Sequence, residues 1–260
     1  MVSLRTAFAF LTILPGLPAN PSARQLSASR AYYPVVGLAL GLLLVALEAA
    51  SSSIFPVFLT SALIVVSLVI ATRGLHLDGL MDVCDGLFGG YTRERRLEIM
   101  RDSNVGAFAV SGALSVLLLK WAAILSLLSL REGEIIWVLI LFPVISRWGI
   151  VLLMGAFPYA RTQGMGSDFH REPAMVATVT AGMIALAASV LLGGLGGMAA
   201  LGLVTALVWL LGKGMAAYLG GLTGDCYGAA NEVGEVVALG ILVALVPHDL
   251  VTPMHQLLGL

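Results

Sequence analysis

The sequence predicts an all-α bundle of membrane-crossing helices, and three observations predict it. Of 260 residues, 59% are hydrophobic and only 11% charged, with a mean hydropathy of +0.98, whereas a water-soluble domain carries about 25% charged residues. Too little polar surface is available to cover a globule in water, so lipid must serve as part of the solvent. The apolar residues also fall into long runs, near the roughly 20 residues a helix needs to cross the hydrocarbon core. Barrel strands would show short alternating segments instead, and only helices or closed barrels satisfy every backbone polar group in lipid.

The first run, Leu4–Leu14, is too short to cross. It has Arg5 beside it and no small-residue cleavage site before "PGLPANP", so it reads as an interfacial or re-entrant helix rather than a signal peptide. The stretch "LPGLPANPSARQLSAS" connects it to the first crossing. Crossings are then expected over Tyr33–Ala50, Phe55–Thr72, Val105–Leu130, Ile135–Phe157, Ala174–Leu192 and Leu195–Leu211. A last run, about Val233–Val246, carries Glu235 near its start and Pro247 at its end, and makes the count six or seven. Glycines at 193–197 and 220–221 mark turns or weak helix ends. No repeat and no linker divides the chain, so residues 1–260 read as one domain.

Lysines and arginines set the orientation. With the N-terminus in the cytoplasm and seven crossings, the inside segments hold Arg5, Arg24 and Arg30; Arg73, Arg93, Arg95, Arg96 and Arg101; Arg161 and Arg171; and Lys213. The outside loops hold only Arg131. Segments 73–104, 158–173 and 213–235, which contain most of the acidic residues, therefore share one face, the cytoplasmic one. A multi-pass protein of the inner membrane with its site on that face is the expectation. The net charge of −1 and the lack of a large basic cluster argue against nucleic acid as a partner. Membrane lipid is the expected surrounding, and a homo-oligomer is compatible with the sequence. Cys84 and Cys226 lie at neither metal-ligand nor framework spacing and read as free thiols.

The chemistry sits in three blocks. In "GLHLDGLMDVCDGLFGG", Asp78, Asp82 and Asp85 occupy i, i+4 and i+7, one face of a helix, separated by apolar residues. Three carboxylates that close repel one another, and acids on an apolar helix are costly without a partner. Pairing with Arg93, Arg95 and Arg96 on a solvated loop is the plain alternative. A divalent cation resolves the cost more fully, since magnesium takes oxygen ligands and commonly binds one or two carboxylates plus substrate phosphates. Gly79 and Gly86, each following an aspartate, would let backbone approach a phosphate.

The second block, "RDSNVGAFAV", places Arg101, Asp102, Ser103 and Asn104 ahead of a crossing. Arginine suits phosphate recognition, and the polar residues suit a helix cap; a helix N-terminus, including Gly106, can also attract phosphate. The third, "GGLTGDCYGAANEVGE", holds Asp225, Asn231, Glu232 and Glu235 among glycines, with Gly224 among those open to close approach. It reads as the opposite wall of the same site. Lys120 and Arg147 fall inside crossings, where charge marks function or a buried ion pair, with Glu48 or a loop acid as the partner. His76 reads as a packing neighbour, and His170 lies in the loop "GMGSDFH".

Carboxylate-bound magnesium beside arginines at a membrane surface points to a transferase acting on an activated diphosphate. The metal would neutralise phosphate charge, and a remaining carboxylate would accept a proton from an attacking hydroxyl.

The blocks "YYPVVGLALG", "GLHLDGLMDVCDGLFGG", "RDSNVGAFAV", "SRWGIVLL" and "GGLTGDCYGAANEVGE", with the opening "FAFLTILPGLP", resemble in order the signatures of the cobalamin synthases, the adenosylcobinamide-GDP ribazoletransferases. The resemblance covers nearly the whole chain. It implies the last assembly step of vitamin B12 biosynthesis: α-ribazole, or its 5′-phosphate, joined to adenosylcobinamide-GDP with release of GMP, and magnesium (Mg2+) as cofactor. On the residue reading, Asp78, Asp82, Asp85, Asp225 and Glu232 are the metal set, with Asp82, Asp85 and Asp102 as catalytic groups. Arg101, Ser103, Gly106, Gly224, Asn231 and Glu235 would contact substrate.

Three other classes are weighed. A CDP-alcohol phosphotransferase would have Ala-Arg after the first Asp-Gly, where Met81-Asp82 stands. A membrane prenyltransferase would repeat its acidic motif, which "TGDCYGAANE" does not. A transporter would place its acids at the midplane in broken helices, whereas these cluster at loop ends.

Overall fold

The computed structural model describes residues 2–15, 21–130, 132–161, 169 and 175–253. Among them every extended element is a helix, apart from one isolated bridge between Tyr159 and Leu222. The order is α1 (Val2–Leu11), α2 (Ala23–Ser29), a 3-10 turn (Arg30–Tyr32), α3 (Tyr33–Ser51), α4 (Val57–Ala71), α5 (Leu75–Gly89) and α6 (Arg93–Ile99). Then follow α7 (Ala107–Leu128), α8 (Glu132–Ala156), α9 (Met175–Leu219) and α10 (Gly224–Leu245).

Five helical stretches are long and apolar enough to cross a membrane, and α4 with α5 makes a sixth if that bent pair is taken together. The chain is thus a multi-pass helix bundle. The expected crossing at 55–72 is corrected: α4 has 15 residues, and an 86° bend leads into α5. The bend is made by Arg73 and Gly74, both with positive φ (55° and 67°). Glycine tolerates that region readily and arginine does not. The Arg73 guanidinium donates to the carbonyls of Ala9 and Phe10 at the end of α1, which holds the strained turn in place.

As one straight rod α9 would be about 68 Å long, more than twice the hydrocarbon core. It is broken at Gly194 (φ 54°, ψ −135°), and its arms turn back on each other: a Cβ at Gly197 would collide with the Ser189 carbonyl. Both arms run along α8. Gly182 faces Trp148 in one and Gly149 faces Val208 in the other, while Gly221, just past α9, meets Pro158. The two expected runs on either side of 193–197 are therefore two arms of a helical hairpin.

α8 is the bundle's central helix, with nearly every described residue of 138–154 buried. α3 packs on it through Gly37 and Gly41, four residues apart, where side chains would strike the backbone of Pro143, Val144 and Ile140. Small residues at that spacing let helices approach closely in lipid, where no hydrophobic drive brings them together. This accounts physically for the block "YYPVVGLALG". The last run differs from expectation as well: α10 begins at Gly224, not near Val233, so its first turns carry the third acidic block. Most of segment 158–173, with Arg171 and His170, and also Arg131, lie outside the described residues.

Candidate active site

The site is built where α5 crosses the start of α10. Thr223 caps α10, its hydroxyl accepting from the Cys226 amide (3.4 Å), and Asp225 stands in the first turn. A Cβ at Gly79 would lie 2.8 Å from the Asp225 carbonyl oxygen, and one at Gly228 would lie 2.9 Å from the His76 carbonyl oxygen. Only glycine permits backbones that close, so the crossing point is fixed by two glycines, one on each helix. Gly79 therefore serves helix contact rather than the phosphate approach expected of it. Gly86 does likewise, lying against Met100 of the turn after α6. Gly224 does have open space in front of it.

The crossing brings Asp78, Asp82 and Asp225 together. Asp78 and Asp225 line one cavity. Asp82, partly buried, feels Asp225, Asp78 and Asp85 as like charges and Arg161 as a counter-charge. Arg161 pairs with Asp225 (Nη2–Oδ2 3.1 Å), whose same oxygen accepts from the Thr223 hydroxyl (3.1 Å). Three acids against one paired arginine leave an excess of negative charge in a partly desolvated place. The arginines proposed as simple neutralisers are engaged elsewhere: Arg93 donates to the Leu219 carbonyl (2.7 Å), Arg95 pairs with Glu98 (2.7 Å), and Arg96 lies over the Tyr218 ring.

Other expected members stand apart. Asp85 caps α7: its carboxylate accepts from the amides of Gly106 (2.6 Å) and Ala109 (2.9 Å), the groups a helix start leaves unpaired. Gly106 thus meets a protein carboxylate where a phosphate was expected. Arg101, Asp102, Ser103 and Asn104 form an exposed turn, not a cap of α7. Asp102 accepts from the Asn104 amide (3.0 Å) and side chain (2.6 Å). Those bonds, the backbone one first, hold its carboxyl below its ordinary value.

Glu232 and Glu235, expected as metal ligand and substrate contact, also stand apart from the crossing. They lie in the bundle interior, where Lys120 of α7 pairs with Glu232 (2.7 Å) and with Glu235, and Arg147 of α8 pairs with Glu235. Asn231 also donates to Glu235 (3.2 Å). Two bases and two acids balance, and α7, α8 and α10 are tied at one buried point. The physical reason is depth: Asp225 stands in the first turn of α10, whereas 232 and 235 lie about two to three turns, roughly 10–15 Å, further along the helix and inside the bundle. The partners expected for Lys120 and Arg147, Glu48 or a loop acid, give way to these two glutamates. Cys84 and Cys226 are free, as expected.

Among the described residues no three acidic, histidine or cysteine side chains close around a single point as a preformed metal cage. The donor set still fits magnesium, which is bound by one or two carboxylates with substrate phosphate and water completing it. Asp78, Asp82 and Asp225 are hard oxygen donors that share one counter-charge, Arg161.

Beside the acids lies a cavity of about 260 Å³, lined by Phe10, Leu11, Tyr33, Leu75, His76, Asp78, Gly79, Ile150, Met154, Tyr159, Arg161, Phe169, Gly224, Asp225, Tyr227 and Gly228. Sequence reasoning missed its aromatic wall and the place of Arg161. α1, α3, α5, α8 and α10 each contribute, and no local motif signals such a gathering.

The sequence model of the family described as Cobalamin-5-phosphate synthase matches residues 3–243, a span that includes every residue of the α5–α10 crossing. The adenosylcobinamide-GDP ribazoletransferase of Desulfitobacterium hafniense is 37% identical over 92% of this chain and 95% of its own length. That of Desulforamulus reducens is 38% identical over 93% and 96%, respectively, and that of a Roseiflexus species 40% identical over 94% and 90%. No solved structure matches. With the family model spanning nearly the whole chain and such relatives covered almost end to end, the chain belongs to the cobalamin synthase family, the adenosylcobinamide-GDP ribazoletransferases.

Proposed function

We propose that this chain catalyses the last assembly step of cobalamin synthesis, at the cytoplasmic face of the inner membrane. A ribose hydroxyl of α-ribazole, or of its 5′-phosphate, attacks the cobinamide-side phosphorus of adenosylcobinamide-GDP. One P–O bond forms, the P–O bond to GMP breaks, and adenosylcobalamin or its 5′-phosphate results. The observation that carries this reading is the meeting of Asp78, Asp82 and Asp225 at one glycine crossing, beside a cavity lined by Asp78 and Asp225.

Of Asp78, Asp82 and Asp225, one or two at a time would hold Mg2+ together with substrate phosphate, and when bound it neutralises charge on the diphosphate. Asp82 is the carboxylate placed to take the proton of the attacking hydroxyl, because Asp225 is already paired with Arg161. Arg161, with four donor hydrogens beyond the one given to Asp225, is placed to orient the diphosphate. Thr223 and Arg161 hold the Asp225 carboxylate in one orientation. The Lys120–Glu232–Glu235–Arg147 cluster fixes α10 against α7 and α8, and so fixes where Asp225 stands. The CDP-alcohol, prenyl and transport readings are not favoured.

The test is GMP release by purified protein in detergent or nanodiscs. Release should require adenosylcobinamide-GDP, an α-ribazole acceptor and Mg2+ together. Asp82→Ala should abolish it while the protein still inserts and purifies normally. CMP release from a CDP-alcohol or pyrophosphate release from a prenyl diphosphate, with no GMP released from the corrinoid, would overturn the assignment.

A further inference from the structure

We infer that the aromatic cavity between α1, α3, α5 and α10 holds the base of the nucleoside acceptor, not the guanosine or the corrin of the other substrate. The inference rests on the function proposed above and adds the binding subsite. Its back wall is aromatic: the Phe10 ring stacks on Tyr33 (centroids 6.4 Å apart, planes at 20°) and lies against Phe169 (4.9 Å). Its mouth carries Asp78, Asp225 and Arg161. A molecule with an apolar aromatic end and a hydroxylated end fits that polarity, with the hydroxyls toward the acids.

Size and hydrogen bonding choose among the ligands. At about 260 Å³ the cavity falls just under the ~300–1,000 Å³ of sites for drug-sized molecules, so a nucleoside fits and a corrin macrocycle does not. His76 is 3% exposed, and neither of its ring nitrogens has a hydrogen-bond partner. An unpaired buried polar group is costly, so a ligand partner at this position is expected. A neutral imidazole offers one N–H. The dimethylbenzimidazole base of α-ribazole has one free ring nitrogen, an acceptor, and is otherwise apolar. Guanine would bury several donors and acceptors against a largely hydrocarbon wall, which is unfavourable without partners.

The test combines variants with an inhibitor on the unaltered protein. His76→Leu removes the ring N–H, and Leu75→Trp, at a residue 37% exposed, fills the cavity from its rim. Both should raise KM for α-ribazole about tenfold and leave KM for adenosylcobinamide-GDP within twofold. Free 5,6-dimethylbenzimidazole should compete with α-ribazole and not with the corrinoid, and Leu75→Trp should weaken that inhibition. A rise in KM for the corrinoid instead, or no change in either KM, overturns the inference, as does competition of the free base with the corrinoid. Because the inhibitor experiment uses the unaltered chain, poor folding of a variant does not block it. Wild-type protein that releases no GMP with these two substrates would defeat the proposed function itself, a separate result.

Discussion

The backbones of Gly79 and Asp225 touch: a Cβ at Gly79 would lie 2.8 Å from the Asp225 carbonyl oxygen. This contact joins the first acidic block to the third, although 146 residues separate the two in sequence. Replacing Gly79 by alanine must push α5 from α10. Overpacking of this kind costs about 1–3 kcal/mol, and misplacing reacting groups by about 1 Å lowers rate on the order of a hundredfold. Gly79→Ala should therefore lower Tm modestly and GMP release by roughly that factor. Gly240→Ala, on α10 with nothing within 4 Å of the added carbon, should change neither.

The Lys120 cluster predicts a different pattern. Removing one partner of a buried ion pair costs about 3–5 kcal/mol, whereas replacing the pair by apolar groups is far less harmful. Lys120→Met alone should sharply lower the unfolding midpoint in detergent. Lys120→Met with Glu232→Leu should recover part of the loss, a coupling that a double-mutant cycle measures.

Asp85 separates a cap from a metal ligand. Its two carboxylate oxygens serve two amides of α7, so Asp85→Ala should cost about 0.5–2 kcal/mol and Asp85→Asn less, since one acceptor oxygen remains. Neither should raise the Mg2+ concentration needed for half-maximal GMP release. A clear rise in Asp85→Asn would return Asp85 to the metal set.

Arg161 tests the charge balance. Arg161→Met leaves Asp78, Asp82 and Asp225 without their counter-charge, which favours a bound cation, and removes the donor placed for the diphosphate. The Mg2+ requirement should fall while KM for adenosylcobinamide-GDP rises; both trends are read from initial rates.

The apolar runs made the bundle legible, and the 3.6-residue spacing of Asp78, Asp82 and Asp85 gave α5. What escaped was tertiary. Gly220, Gly221, Gly224 and Gly228 made the start of α10 read as part of a loop, because glycine lowers helix propensity; the close α5 crossing is what makes glycine necessary at 228. The shared aspartate face did not reveal that Asp85 would be claimed by the start of α7. The partners of Lys120 lie 112 and 115 residues away, and only the packed bundle identifies them. Gly194 marked a turn correctly, since its φ of 54° suits glycine above other residues.

The most direct measurement is the Mg2+ dependence of GMP release in Asp82→Asn and Asp225→Asn, both near-isosteric and each removing one charge. If the α5–α10 crossing is the metal–diphosphate centre, each should lower kcat by at least about a hundredfold, on the order of what a lost transition-state contact costs, and raise the Mg2+ requirement. Wild-type turnover and an unchanged Mg2+ requirement in both variants would place the chemistry somewhere else in the molecule.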